Sequence, residues 1–461
     1  MRPIIARPAP AHGVTTDREL RTRDVVRFWS PLAATWLMMS FEGPYIAAII
    51  ARLPRAEVNL AAYGVAFSLA WLGESPIMML LTASNRLVHD RAAFHAVRRF
   101  MYTLNAVLTA LMALATLPPV FRLLAHGVLE LPPEVTDRLH PAMIALIPWP
   151  AAIGYRRFYQ GILVRNRHPR RVAYGTIIRL LTMSAVAATL AITTSASGVL
   201  VGATALASGV VAEAVASRWM ARHLVAGLLA GTIVDAPHVS PAGETALSQS
   251  AILRFYYPLA LTSMIAMITG PMLTFFLGRG RSPIESLAVL PVVQNLVFMF
   301  RGGGVAYQEV GVALTGRQHE HAREVGRAAL LLGAASSGLL GLLLFTPLSG
   351  VWFRTVAGLS IPLADFALLP ARLLVILPAT EYLLALQRSR FIVDGRTRIV
   401  TTAMAVEMTG LALVLWWSIE RLGVAGAVAA SLALLGGRVA ANALLFAVNG
   451  VRPAQAGMFA K

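Results

Sequence analysis

The stretch PLAATWLMMSFEGP at residues 31–44 returns as PLALTSMIAMITGP at residues 258–271. Pro31-Leu32-Ala33 and Gly43-Pro44 thus reappear as Pro258-Leu259-Ala260 and Gly270-Pro271, each 227 positions further on. The register persists beyond the stretch, since Arg52 maps onto Arg279 and Leu60-Ala61 onto Leu287-Ala288. An offset of 227 in a chain of 461 residues is half its length, which predicts two structurally equivalent halves. In membrane proteins, internal repeats of this kind are the usual architecture of transporters.

Composition decides the solvent. With 57% hydrophobic and 13% charged residues, and a mean hydropathy of +0.66, the chain lies far from the balance of a water-soluble domain. About twelve apolar stretches are long enough to cross a hydrocarbon core. They are predicted near 30–53, 60–83, 100–124, 139–164, 172–195 and 198–219, then near 252–278, 285–313, 327–350, 361–387, 398–419 and 423–448. The expected organisation is a lead-in over 1–27, a first lobe over 28–227, a polar linker over 228–250, a second lobe over 251–450 and a tail over 451–461. The fold class predicted is an all-α polytopic membrane protein with two pseudo-symmetric six-helix lobes. Thr16 and Glu19 are spaced as a capping box ahead of the first span.

The chain has a net charge of +18, and its arginines recur in alternate loops. Arg86, Arg91, Arg98 and Arg99 follow span two, Arg165, Arg167, Arg170 and Arg171 span four, Arg317, Arg323 and Arg327 span eight, and Arg388, Arg390, Arg396 and Arg398 span ten. The other loops are acidic or nearly uncharged, as with Glu130, Glu134 and Asp137. This alternation predicts an inner membrane protein with both termini in the cytoplasm, and it argues against nucleic acid as a partner. The sole lysine is Lys461, which removes the phosphate-cradling loop of an ATP-driven pump. Cysteine is absent and the histidines fall at span edges or outside them, so neither a metal site nor a cofactor is implied. Transport would run on a gradient. No clustered catalytic constellation points to an enzyme.

Ionisable groups inside the hydrocarbon are functional candidates by default. Glu42, Glu74, Glu213, Glu309, Glu381 and Glu407 stand against Arg156, Arg157, Arg179, Arg301, Arg372 and Arg438. Arg179 with Glu213, and Glu407 with Arg438, read as structural ion pairs between the last two helices of each half. Glu74 and Arg301 are 227 apart, so opposite charges occupy equivalent points, and the expectation is that they meet across the cleft as a gate or binding locus. Each stands beside a helix breaker, Pro76 in one half and Gly302-Gly303-Gly304 in the other. A lone carboxylate at Glu42, just before Gly43-Pro44, suits coupling to a proton or cation; a neutral glutamic acid bracing the broken helix is the other open reading. Of Arg156 and Arg157, one is expected to face the cleft and the other the lipid headgroups. Arg301, Arg157 and Arg372 are candidate anion contacts, with Glu309 and Glu381 as further substrate or gate residues.

Glu42 with the small residues after it, Ala62-Tyr63-Gly64-Val65-Ala66-Phe67-Ser68-Leu69, Gly161-Ile162-Leu163-Val164 and Tyr257-Pro258-Leu259-Ala260 resemble the multidrug/oligosaccharidyl-lipid/polysaccharide flippase superfamily. Within it, the chain is most similar to the progressive ankylosis family. The resemblance implies two lobes rocking around a central cavity, and in the animal members export of organic anions such as citrate, nucleotides or pyrophosphate. The short C-terminal tail and near absence of lysine depart from those members. Three functions follow: an anion-exporting secondary carrier, which can work as a monomer, a flippase for a lipid-linked precursor, and a cation-coupled multidrug antiporter.

Overall fold

The computed structural model describes residues 20–166, 168–231, 248–316, 319–394 and 396–450. Most of the expected lead-in, linker and tail, with Thr16, Glu19, Arg167 and Arg317, lies outside these residues. Among the described residues there is no β-strand, and nine helices are long and apolar enough to cross a membrane. In chain order they are α2 (Ala56–Leu87), α3 (Arg91–Thr116), α5 (Arg170–Thr193), α6 (Gly198–Met220), α8 (Pro283–Leu314), α9 (Ala322–Phe345), α10 (Ile361–Val393), α11 (Arg398–Glu420) and α12 (Gly426–Val448). Three more crossings are each built of two helices in tandem. These are α1 (Thr22–Ser40 and Glu42–Ala51), α4 (Pro133–Ala145 and Trp149–Arg165) and α7 (Gln249–Met267 and Thr269–Arg279). The protein is an integral membrane protein, and the nine long helices with the three tandem pairs make twelve successive elements among the described residues.

The breaks in α1 and α7 follow from proline chemistry. Pro44 has no N–H for the carbonyl of Ser40, and Pro271 none for that of Met267, so each helix is interrupted one turn before its proline. Proline also sets two span ends that hydropathy misplaced. The spans expected at 100–124 and 327–350 end at Thr116 and Phe345, because Leu117-Pro118 and Thr346-Pro347 force extended backbone before the ring. At its other end α3 starts early, since the Asp90 carboxylate accepts the Ala93 N–H at 2.7 Å. The break expected at Gly302-Gly303 does not occur, and α8 runs unbroken. Its counterpart α2 is interrupted by the 3-10 turn Ser75–Ile77.

The backbone repeats the sequence repeat. Arg55 and Ser282, which are 227 apart, are left-handed with φ of 57° and 51°. Further on the offset becomes 228. Leu123–Val128 and Val351–Val356 are both π-helical turns, and Glu130 and Gly358 after them both have positive φ, 49° and 74°.

The halves interlock at small residues. A Cβ on Gly43 would lie 2.4 Å from the Asn295 side chain, one on Gly270 3.2 Å from Ser68, and one on Gly64 2.6 Å from Pro291. Ser68 and Asn295 are themselves repeat equivalents, so α1 meets α8 as α7 meets α2. Ser68 Oγ also lies 3.1 Å from Thr274 Oγ1. Close backbone approach of this kind supplies the packing energy that lipid leaves unsupplied. The first helix of α1 rests on α8 and α9 of the other half, while its second helix packs in its own half against α2 and α6 and also meets α8. Likewise the first helix of α7 lies against the α2 break and α3, and its second reaches α11 and α12 as well as α2.

Candidate functional site

Two buried polar networks form, one in each half. In the first, Glu213 of α6 is the hub. Its carboxylate accepts from the Arg156 guanidinium and, at 3.1 Å, from Gln160 Nε2, both on α4, while Arg179 Nε of α5 lies 3.6 Å away. Arg179 reaches the other way to Glu42, Nη2 to Oε2 at 2.5 Å. Glu42 is therefore not a lone carboxylate; it stands in the first turn of its helix segment with a guanidinium in contact. The four side chains make a continuous chain from α1 through α5 and α6 to α4. Glu74 is buried in the same half and accepts the Trp149 indole N–H at 2.6 Å, with Arg156 and Arg157 in electrostatic reach. Arg157 lies against Met78 Sδ at 3.4 Å, so both neighbouring arginines of α4 turn inward and neither is given up to the headgroups. Backbone geometry allows this because Arg156 points to α6 and Arg157 to the α2 break.

In the second network Arg438 of α12 is the hub. It bridges Glu381 of α10 at 2.8 Å and Glu407 of α11 at 2.9 Å. Arg388 Nη2 adds a contact to Glu407 at 3.4 Å, and Arg301 Nε of α8 lies 3.8 Å from Glu381. The expected meeting of Glu74 with Arg301 across the cleft does not form; each finds its partner in its own half. Glu309 and Arg372 join neither network. Glu309 is exposed on α8, whereas Arg372 turns outward, donating from Nε to the Leu344 carbonyl at 3.1 Å and lying over the Phe345 ring. Arg372 and Glu381 thus sit on opposite faces of α10.

Sequence reasoning assigned Arg388 to a basic loop, yet it lies inside α10 with its charge on Glu407. Its spacing of seven from Glu381, two helical turns, was the available signal. Trp149 was missed because an indole donor carries no charge to mark it. With Arg388 included, the described residues give the first network three acids and three arginines, Glu42, Glu74 and Glu213 against Arg156, Arg157 and Arg179. The second has two acids and three arginines. The surplus guanidinium is the accessible one: the Arg301 side chain is 28% exposed against 10% for Arg438. Its Nε is buried and makes no hydrogen bond, as is also the case for Arg388 and Arg438.

No family model matches the sequence, and no curated protein matches it. The narrower likeness to the progressive ankylosis family therefore has no sequence match behind it. Solved structures do match over most of the chain. It superposes on an inward-facing multidrug resistance MATE family transporter of the MOP superfamily with a TM-score of 0.68 at 13% identity, covering 91% of this chain and 97% of that one. The fold is the MATE fold. The lipid II flippase MurJ in an inward closed conformation gives a TM-score of 0.67 at 13% identity over 92% of this chain and 87% of that one. A MOP superfamily transporter from Pyrococcus furiosus, described as having a binding pocket of reverse polarity that suggests a different function, gives 0.59 at 16% identity over 93% and 96%. The expected fold class is thus met in an architecture shared by transporters and a flippase.

Proposed function

We propose that this protein is a secondary transporter that exports a small organic or phosphate-bearing anion, of the citrate, nucleotide or pyrophosphate type, by alternating access between its halves. The observation that carries the reading is the unequal charge of the two networks. The second half holds one guanidinium more than its carboxylates neutralise, and Arg301, held only loosely at 3.8 Å from Glu381, is the most exposed of its three arginines. An arginine fork left open beside a helix interface suits carboxylate or phosphate. The first network is neutral and closed, with Glu42 at its end next to the α1 break, which fits a coupling group. A Pyrococcus furiosus protein of this fold whose pocket polarity is described as reversed supports the idea that pocket polarity can differ within the fold. In this reading the protein sits in the inner membrane with both termini in the cytoplasm, works as a monomer and performs no catalysis.

Purified protein in proteoliposomes tests it, with radiolabelled citrate, ATP and pyrophosphate compared with a cationic dye, each with and without a proton gradient. Anion flux that falls about tenfold or more in Arg301→Gln is the expected result, as a charged hydrogen bond contributes roughly 1.5–3 kcal/mol. Dye flux driven by protons and lost in Glu42→Gln would sink it in favour of a cation antiporter. The superposition on MurJ favours a second reading, a flippase for a lipid-linked anion. That reading predicts no flux of the free anions and scrambling of a fluorescent lipid-linked phosphate.

A further inference from the structure

Besides Ser68 on Thr274 and the Gln249 amide on the Ala96 carbonyl at 2.9 Å, two sets of hydrogen bonds tie the halves together, one toward each end of the helices, and within each set the donors are repeat equivalents. On the side where α1 and α7 begin, the Trp29 indole N–H donates to the Gly303 carbonyl at 2.8 Å, and the Tyr256 hydroxyl donates to the Pro76 carbonyl. Donors and acceptors are both 227 apart. Both bonds cross from one half to the other. On the far side, Arg52 Nη2 donates to the carbonyls of Thr355 and Val356 at 2.6 and 3.0 Å. Arg279 Nη1 donates to the Val128 carbonyl at 3.0 Å, and its Nη2 meets Glu130 Oε1 at 2.6 Å. These arginines are again equivalents, and Val128 and Val356 each end a π-helical turn, where the last carbonyls have no amide of their own. A cation at such an end is favoured by the aligned peptide dipoles as well as by the hydrogen bond.

The sets differ in strength. The first is neutral throughout, while every donor of the second is a guanidinium, and charged hydrogen bonds are roughly twice as strong as neutral ones. The far set also contains Glu130, a non-glycine residue at φ 49° where its equivalent is Gly358. A side chain in that conformation carries a cost, and what it obtains is the carboxylate on Arg279.

We propose that these four contacts are the two gates of the carrier, and that the charged far-side gate is the tighter, so the empty protein rests closed to the far side and opens first on the side of its termini. The inference rests on the alternating-access reading above, but its test reads conformation rather than flux, so either can fail alone. The absence of cysteine lets spin labels be placed without background. One pair of cysteines at exposed Ala92 and Arg323 reports the terminal side, and another at exposed Thr194 and Leu422 the far side, each measured by pulsed dipolar spectroscopy in nanodiscs.

In the unmutated chain the far-side distance should be single and short, with any second population confined to the terminal side. Trp29→Phe with Tyr256→Phe should raise the open population on the terminal side at least tenfold and leave the far side unchanged. Arg52→Gln with Arg279→Gln should do the reverse. Glu130→Gly separates gate from strain: the proposal expects a longer far-side distance in part of the molecules, whereas a higher melting temperature with unchanged distances would mean that Glu130 is merely strained. The proposal is overturned if the arginine variants leave both distances unaltered, or if either double variant lengthens both together. Flux absent for every solute, with the distances still responding as described, would count against transport of those solutes and not against the gates.

Discussion

At the scale of single residues, the two halves answer the same problem with different hubs. In one, a carboxylate gathers guanidiniums; in the other, a guanidinium gathers carboxylates. Glu213 is 1% exposed and holds Arg156, Arg179 and Gln160 at once. Glu213→Gln leaves two buried guanidiniums with one carboxylate between them. The expected loss is about 3–5 kcal/mol, seen as a marked fall in the melting temperature of the detergent-solubilised protein. Glu74→Gln is a contrasting case, because the amide carbonyl still accepts the Trp149 N–H and no guanidinium makes a hydrogen bond or ion pair with Glu74 directly; its cost should be about 1 kcal/mol or less in the same assay. The candidates themselves were legible, since a charge inside an apolar run is conspicuous. Their partners were not. Arg179 sits nearer to Glu42 than to Glu213, and nothing in the spacing of residues 42, 179 and 213 encodes which two helices lean together.

At the scale of elements, α1 and α7 decide the behaviour of the rest. Each is cut by a proline into a segment that lies on the other half and a segment that reaches its own. Pro44→Ala would return the missing N–H to the Ser40 carbonyl and favour a straight helix across the junction. The expected outcome is a protein at least as stable by detergent melting, with flux of the transported solute reduced about tenfold or more, since a continuous helix couples segments that must move apart. Equal flux with a straightened α1 would remove the junction from the mechanism. Gly43-Pro44 and Gly270-Pro271 of the sequence repeat stand at both breaks, because proline acts locally. The repeat also suggested a break at Gly302-Gly303 that is not there: glycine permits a bend without requiring one, and in α8 its use is to admit the Trp29 and Tyr382 rings, which a Cβ on Gly303 would meet at 2.8 and 2.4 Å. The π-helical turns and the shift from 227 to 228 carry no composition signal, so the matching of the later helices becomes visible only in the backbone.

At the scale of the molecule, the halves are held by contacts toward both ends of the helices and between them, where α2 and α8 meet at Gly64 and Pro291, themselves repeat equivalents. Gly64→Val should force this crossing apart and cost roughly 1–3 kcal/mol, read as a lower melting temperature, while Ala at a glycine with open space such as Gly338 should change little. The crossed arrangement of α1 and α7 also has a consequence for biosynthesis. Trp29 enters the membrane early, but its acceptor, Gly303, is 274 residues downstream. At a synthesis rate of about 5–20 residues per second, the first segment of α1 waits roughly 15–55 s for the surface it packs on. During that interval its interior face must be sheltered by lipid, by the insertion machinery or by neighbours it will later leave. The nascent first half therefore cannot complete its packing until α8 has emerged.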